Sequence, residues 1–154
     1  MMWKKGKVLA VSSPGGHWVQ LNKIGNKLED QFLIIYASPR GQYKVAQQGE
    51  RVVHNIMDAS ADSKIKLLPL ALQLFWLILK ERPATIMSTG AAPGVIAILL
   101  GKILGIKTIW IDSIANVQRL SRSGRMIQAY ADIVLTQWPN LSDGEKILHK
   151  GSVL

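Results

Sequence analysis

The stretch Ser12-Ser13-Pro14-Gly15-Gly16-His17-Trp18-Val19-Gln20-Leu21 decides how this chain is read. Before it lies the run Lys7-Val8-Leu9-Ala10-Val11, which reads as a strand. After it Leu21, Ile24 and Leu28 recur at helical spacing, which predicts a helix over residues 18–28. A histidine therefore sits at a strand-to-helix turn. Gly15 and Gly16 permit positive φ and let another molecule approach the main chain without meeting a Cβ. The helix behind them offers unpaired N–H groups and the positive end of its dipole to a phosphate or an oxyanion. His17 stands at that mouth, with the side chain best suited to proton transfer near neutral pH. The same residues fit a plain tight turn in which His17 only caps the helix, because the spacing is not the full dinucleotide fingerprint.

Outward from that turn the chain alternates. Gln31-Phe32-Leu33-Ile34-Ile35-Tyr36-Ala37 is a continuous apolar run, the signature of a strand buried on both faces. Strand, helix and strand make a β-α-β unit and predict a parallel sheet. Residues 40–48 read as a polar loop with a short helix. Arg51–Ile56 reads as a third, more exposed strand carrying a surface histidine, His54. Further strands are expected at Ala84–Ser88, Lys107–Ile111 and Ile133–Thr136, the last of the series. Helices are expected at Val95–Leu104, closed by Gly105, and near Arg125–Ala131. The whole chain, 1–154, reads as one α/β domain, a Rossmann-like parallel sheet with helices on both faces. Loops at Ser12–His17, Ser88–Gly94 and Asp112–Asn116 then share the carboxyl edge of the sheet, where open α/β sheets bind ligands.

Composition narrows the partners. With 19 Lys+Arg against 10 Asp+Glu the net charge is +9, yet 48% of residues are hydrophobic and no nucleic-acid motif is present. A basic and greasy chain fits an anionic membrane surface better than a nucleic acid. No cysteine is available for a disulfide or a thiolate metal site, and no carboxylate or histidine cluster has metal-ligand spacing. The N-terminus has Lys4, Lys5 and Lys7 but no apolar h-region ahead of the first strand, so no signal peptide is expected. The segment Leu67–Leu79 is apolar nearly all round, with Lys64 and Lys66 before it and Lys80 and Arg82 after it. It is shorter than the ~20 residues that span a bilayer. Its outer side must meet something: core, protein partner, or a membrane interface into which Phe75 and Trp76 dip.

Taken in order, Ser13-Pro14-Gly15-Gly16-His17, Arg82-Pro83 through Ser88-Thr89-Gly90-Ala91 to Pro93-Gly94, Ile109–Ala115, Leu120–Arg125, Tyr130-Ala131-Asp132 and Gln137-Trp138-Pro139 resemble a known family. It is the acceptor-side subunit of two-subunit GT-B glycosyltransferases. These include the eukaryotic enzyme adding the second N-acetylglucosamine to dolichyl-diphosphate sugar, and bacterial exopolysaccharide and capsule counterparts. The lipid II synthase MurG is similar at greater distance, through its N-terminal half. The resemblance implies a subunit active only with a partner, which would bind the nucleotide-sugar donor, a UDP-sugar, and hold no cofactor on this chain. This chain would hold the polyprenyl-diphosphate-linked acceptor, peripherally, at the cytoplasmic face of the membrane.

By position, the resemblance makes His17 or Asp112 the base that takes the acceptor hydroxyl proton in an inverting transfer. Ser13, Gly15, Gly16, Ser88, Thr89 and Gly90 would line the acceptor diphosphate site, and Leu74, Phe75 and Trp76 would touch the membrane. Asp112 stands where relatives usually carry Glu. Arg119 and Arg122, with Arg125, either neutralise acceptor phosphates or form a solvated basic loop. The alternative within the same assembly is a non-catalytic membrane recruiter for the donor-binding subunit. An oxidoreductase-type nucleotide domain is disfavoured, since Tyr36-Ala37-Ser38 offers no acid for a ribose at the end of the second strand.

Overall fold

The computed structural model of the chain describes residues 5–39, 51–60 and 62–153. The polar stretch expected as a loop and short helix at 40–48 lies outside them. Seven strands form one sheet: β1 Gly6–Ser12, β2 Phe32–Ser38, β3 Val52–Asn55, β4 Thr85–Gly90, β5 Lys107–Ile111, β6 Ile133–Thr136 and β7 Ile147–His149. Their spatial order is β3-β2-β1-β4-β5-β6-β7, and every pair is parallel. The sequence predicts six of these; β7, three residues long, is the addition. Among the described residues, four α-helices connect them: α1 Gly16–Leu28, α2 Lys64–Glu81, α3 Ala91–Ile103 and α4 Arg122–Ile127.

Alternation along the strands divides the core in two. Val8, Ala10, Ile34, Tyr36, Met87 and Ile111 face α1, where Trp18 and Leu21 meet them. Leu9, Val11, Ile35, Ala37, Ile86 and Trp110 face the other way, against Leu70, Leu74, Leu77 and Ile78 of α2 and Val95, Ala97 and Ile98 of α3. Helices thus cover both faces, and continuous apolar runs in the central strands are the consequence. The α3 helix stops as the sequence predicts. Gly105 takes φ +72, Ile106 N–H donates to Gly101 O (2.8 Å) and Gly105 N–H to Lys102 O (3.2 Å), which satisfies two otherwise orphaned carbonyls.

Several expectations shift: α1 begins at Gly16 rather than at residue 18, and α3 at Ala91 rather than at Val95. The helix placed at 125–131 starts three residues earlier, because Ser121 caps it: its Oγ accepts from Gly124 N–H at 2.8 Å. His54 is half-buried rather than a plain surface residue, with Nε2 3.1 Å from Glu81 Oε1 at the end of α2. The apolar segment is longer than its apolar core, an 18-residue helix with Pro69 inside it. Among the described residues, no helix is long and apolar enough to cross a membrane.

Candidate functional site

The strand-to-helix turn after β1 is built around Gly15, which takes φ +86 as the residue preceding α1, a conformation that an L side chain would strain. A Cβ at Gly15 or Gly16 would meet nothing within 4 Å, so the space in front of this helix start is open. No side chain caps α1. Its first N–H groups are therefore left for solvent or an anion. His17, the second residue of the helix, does not cap it either. Its Nδ1 lies 2.9 Å from the main-chain carbonyl of Thr89, at the end of β4. A carbonyl can only accept, so Nδ1 carries a proton, and in the neutral ring the lone pair is on Nε2.

Three features of β4 make this contact possible. Between Val11 and Ser12 the β1–β4 register slips, so that Val11 faces Ser88 and Ser12 faces Gly90, leaving Thr89 without an opposite number. Thr89 also donates from Oγ1 to His17 O at 2.7 Å, closing a two-bond clasp. Gly90 has φ +149, and a Cβ built there would collide with the His17 imidazole. Ser88 is fully buried, with its Oγ accepting from Gly90 N–H (3.2 Å) and filling the place a Cβ on Gly94 would need. Ser88, Thr89 and Gly90 thus turn inward, onto one another and onto His17, whereas Gly15 and Gly16 are exposed and Ser13 is half-buried.

A third loop joins them. Gln20, one helical turn beyond His17, donates from Nε2 to Ser113 Oγ at 3.3 Å, tying α1 to the segment after β5. The centre of that segment is Asp112, whose residue is only 1% exposed. One of its oxygens accepts from Trp110 Nε1 (3.1 Å) and Ser121 Oγ (2.6 Å), the other from Ser121 N–H (2.8 Å) and Asn116 Nδ2 (3.3 Å). With both oxygens held by four donors, Asp112 is a buried anchor for the 112–121 loop. Gly124 is a glycine because Asp112 Oδ1 would lie 2.6 Å from its Cβ. Trp138 Nε1 holds Ile114 O (2.7 Å) and Asn140 Nδ2 holds Val117 O (3.0 Å), so the loop is pinned from the β6 side too. Arg119, Arg122 and Arg125 are exposed, and none has an ion-pair partner among the described residues. Sequence reasoning missed Gln20, Ser121 and the Thr89 carbonyl; the visible trace was a glutamine on the buried side of an amphipathic helix.

Three loops from one sheet edge therefore converge around a histidine with a defined tautomer. The family described as "Oligosaccharide biosynthesis protein Alg14 like" matches residues 50–152. The chain belongs to the Alg14-like family. Among curated relatives, the UDP-N-acetylglucosamine transferase subunit ALG14 of Cryptococcus neoformans is 36% identical over 92 residues, 53% of this chain and 40% of that protein. Its counterpart in Schizosaccharomyces pombe is 26% identical over 161 residues, 88% of this chain and 77% of that protein. The matched part thus spans about two fifths of the first of these relatives. Among solved structures, Acinetobacter baumannii MurG superposes with a TM-score of 0.79 at 11% identity, over 94% of this chain and 45% of that one. A UDP-N-acetylglucosamine 2-epimerase from Rickettsia bellii gives 0.69 at 12% identity, over 97% and 45%. The fold is that of the N-terminal half of a GT-B glycosyltransferase.

This Alg14-like chain also carries an apolar outer face. Leu74, predicted to touch a membrane, is 0% exposed and belongs to the core. The phase of α2 instead turns Ile65, Leu68, Leu72, Trp76 and Leu79 outward, with Phe75 beside them. Ile65 is 91% and Trp76 63% exposed, and Ile103 of the adjacent α3 is 80% exposed. Lys80 Nζ lies 5.2 Å from the centre of the Trp76 ring, a cation held against an exposed indole.

Proposed function

We propose that this chain is the acceptor-side half of a split, inverting GT-B glycosyltransferase, working on a polyprenyl-diphosphate-linked sugar at the cytoplasmic face of a membrane. A separate subunit brings the UDP-sugar. His17 Nε2 takes the proton from the acceptor hydroxyl as that oxygen attacks the anomeric carbon, and the nucleoside diphosphate leaves on the partner's side. The observation that carries this reading is the His17–Thr89 clasp. It commits Nδ1 to a carbonyl and leaves the basic nitrogen free at the uncapped start of α1. The open space before Gly15 and Gly16 suits the acceptor diphosphate, and Arg119 and Arg122 are the unpaired cations available to it. The exposed α2 stripe supports peripheral membrane contact, with apolar side chains in the interface and flanking lysines at anionic headgroups.

The test is co-purification of the chain with its donor-binding subunit, followed by assay of UDP-sugar donors on a diphosphate-lipid acceptor. His17→Asn keeps an N–H in the place of Nδ1 but lacks Nε2. It is expected to preserve the complex and lower turnover about 10²–10⁴-fold. Unchanged turnover would instead favour the recruiter reading, in which all chemistry lies on the partner.

A further inference from the structure

A groove of about 490 Å³ opens at the amino edge of the sheet, the edge opposite His17. It is lined by Ile78, Leu79 and Arg82 at the end of α2, by Pro83, and by Leu104 and Ile106 on the turn from α3 to β5. That volume lies in the range of small-molecule sites, about 300–1,000 Å³. Five of the six lining side chains are apolar, and the sixth is an exposed guanidinium with no ion-pair partner among the described residues. Glu81 does not cancel it, because that carboxylate faces Lys7 at 3.3 Å and His54 at 3.1 Å. Arg82 also holds φ +49, the left-handed conformation that glycine usually supplies, while its N–H closes α2 onto Ile78 O at 2.9 Å. A strained backbone thus carries a bare cation at the lip of an apolar groove.

From these observations we infer that the groove binds one anionic phospholipid, its phosphate on Arg82 and an acyl chain against Leu79, Leu104 and Ile106. The inference rests on the membrane reading above and gives it a lipid class. Leu79 continues the exposed stripe of Leu72 and Trp76, and the largely exposed Ile103 adjoins Leu104, so the groove is continuous with the apolar face. Lys80, above Trp76, adds a second cation on the same side. The occupant is not the acceptor lipid. Pro83, Ala84 and the first four residues of β4, Thr85 to Ser88, separate Arg82 from Thr89, a span of about 20 Å of extended chain. A diphosphate held before Gly15 and Gly16 cannot also be the phosphate on Arg82.

The experiment is flotation of the full chain with vesicles of phosphatidylcholine alone or mixed with phosphatidylglycerol, with native mass spectrometry of the chain and phosphatidylglycerol as a second readout. Arg82→Gly removes the cation and suits the local φ, so it folds. It is expected to lower the preference for anionic vesicles about fivefold and to abolish the one-to-one lipid adduct. Lys23→Ser, which removes the same charge from exposed α1, is expected to do neither. If Arg82→Gly binds as wild type does, or loses no more than Lys23→Ser, the groove assignment is overturned. In that case binding lost by Trp76→Ser would keep the membrane reading. A wild-type chain that binds neither vesicle would overturn both.

Discussion

Replacing Gly90 by alanine tests the site without any partner subunit. The residue sits at φ +149 and ψ 177, a region open almost only to glycine, and leaving an L residue there costs about 1–3 kcal/mol. The added Cβ would also collide with the His17 ring, so the imidazole must leave and its bond to the Thr89 carbonyl is lost, a further loss of about 1 kcal/mol. Gly90→Ala is therefore expected to lower stability by about 2–4 kcal/mol. Domains of this kind carry about 5–15 kcal/mol in all, so the variant still folds. Urea denaturation at pH 7 gives the loss. The nitrogen chemical shifts of His17 report the second consequence, a change from the single Nδ1–H tautomer to a mixture. A stability change below about 0.5 kcal/mol with the tautomer intact would refute the view that Gly90 exists to admit the imidazole.

Other substitutions follow the same logic. Asp112→Asn puts an N–H₂ among four donors and is expected to cost on the order of 3 kcal/mol, read by denaturation; a loss below about 1 kcal/mol would mean that the anchor is dispensable. Leu74→Ala is expected to cost about 2–5 kcal/mol without weakening vesicle binding, whereas Leu72→Ser should leave the thermal midpoint nearly unchanged and weaken flotation. The reverse pattern would place the α2 faces wrongly. For pH dependence, the Lys102 ammonium, bonded at 2.9 Å, and the Thr108 N–H hold the Asp132 carboxyl below its ordinary range. A depressed folded pKa gives stability that is full above the unfolded value, about 3.9, and fades as the pH falls below it. Asp132→Asn should therefore melt below wild type at pH 7, with the gap narrowing as the pH falls below the ordinary carboxylate range; a gap that stays constant would refute the linkage.

Most of the architecture is legible from the alternation of apolar runs and glycine-bearing turns, because a strand buried on both faces has little choice of residues. The α3–β5 turn is legible for the same reason, since Gly105 is the residue that its φ demands. What escaped depends on long-range packing. A helix that is apolar all round has no phase to read, so only the sheet decides that Leu74 turns in and Leu72 out. The start of α4 was hidden by Gly124, a poor helix former tolerated because Asp112 fills the space of its side chain. Strand β7 is too short for an apolar pattern. The turn around His17 was found from its glycines and histidine, but a lone aspartate at a strand end looks the same whether it catalyses or anchors. The contact from Ser121, nine positions away, that anchors Asp112 is visible in space alone.

The register slip at Thr89 has an evolutionary side. The group that orients His17 is a main-chain carbonyl, common to all twenty amino acids, so substitution at position 89 can remove the hydroxyl contact but leaves the oxygen that selects the tautomer. Lineages are free to drift at that position while the imidazole stays oriented. Drift at its neighbour Gly90 is closed. Insertions and deletions in β4, together with changes at Gly90, are then the heritable events that would part this histidine from its carbonyl.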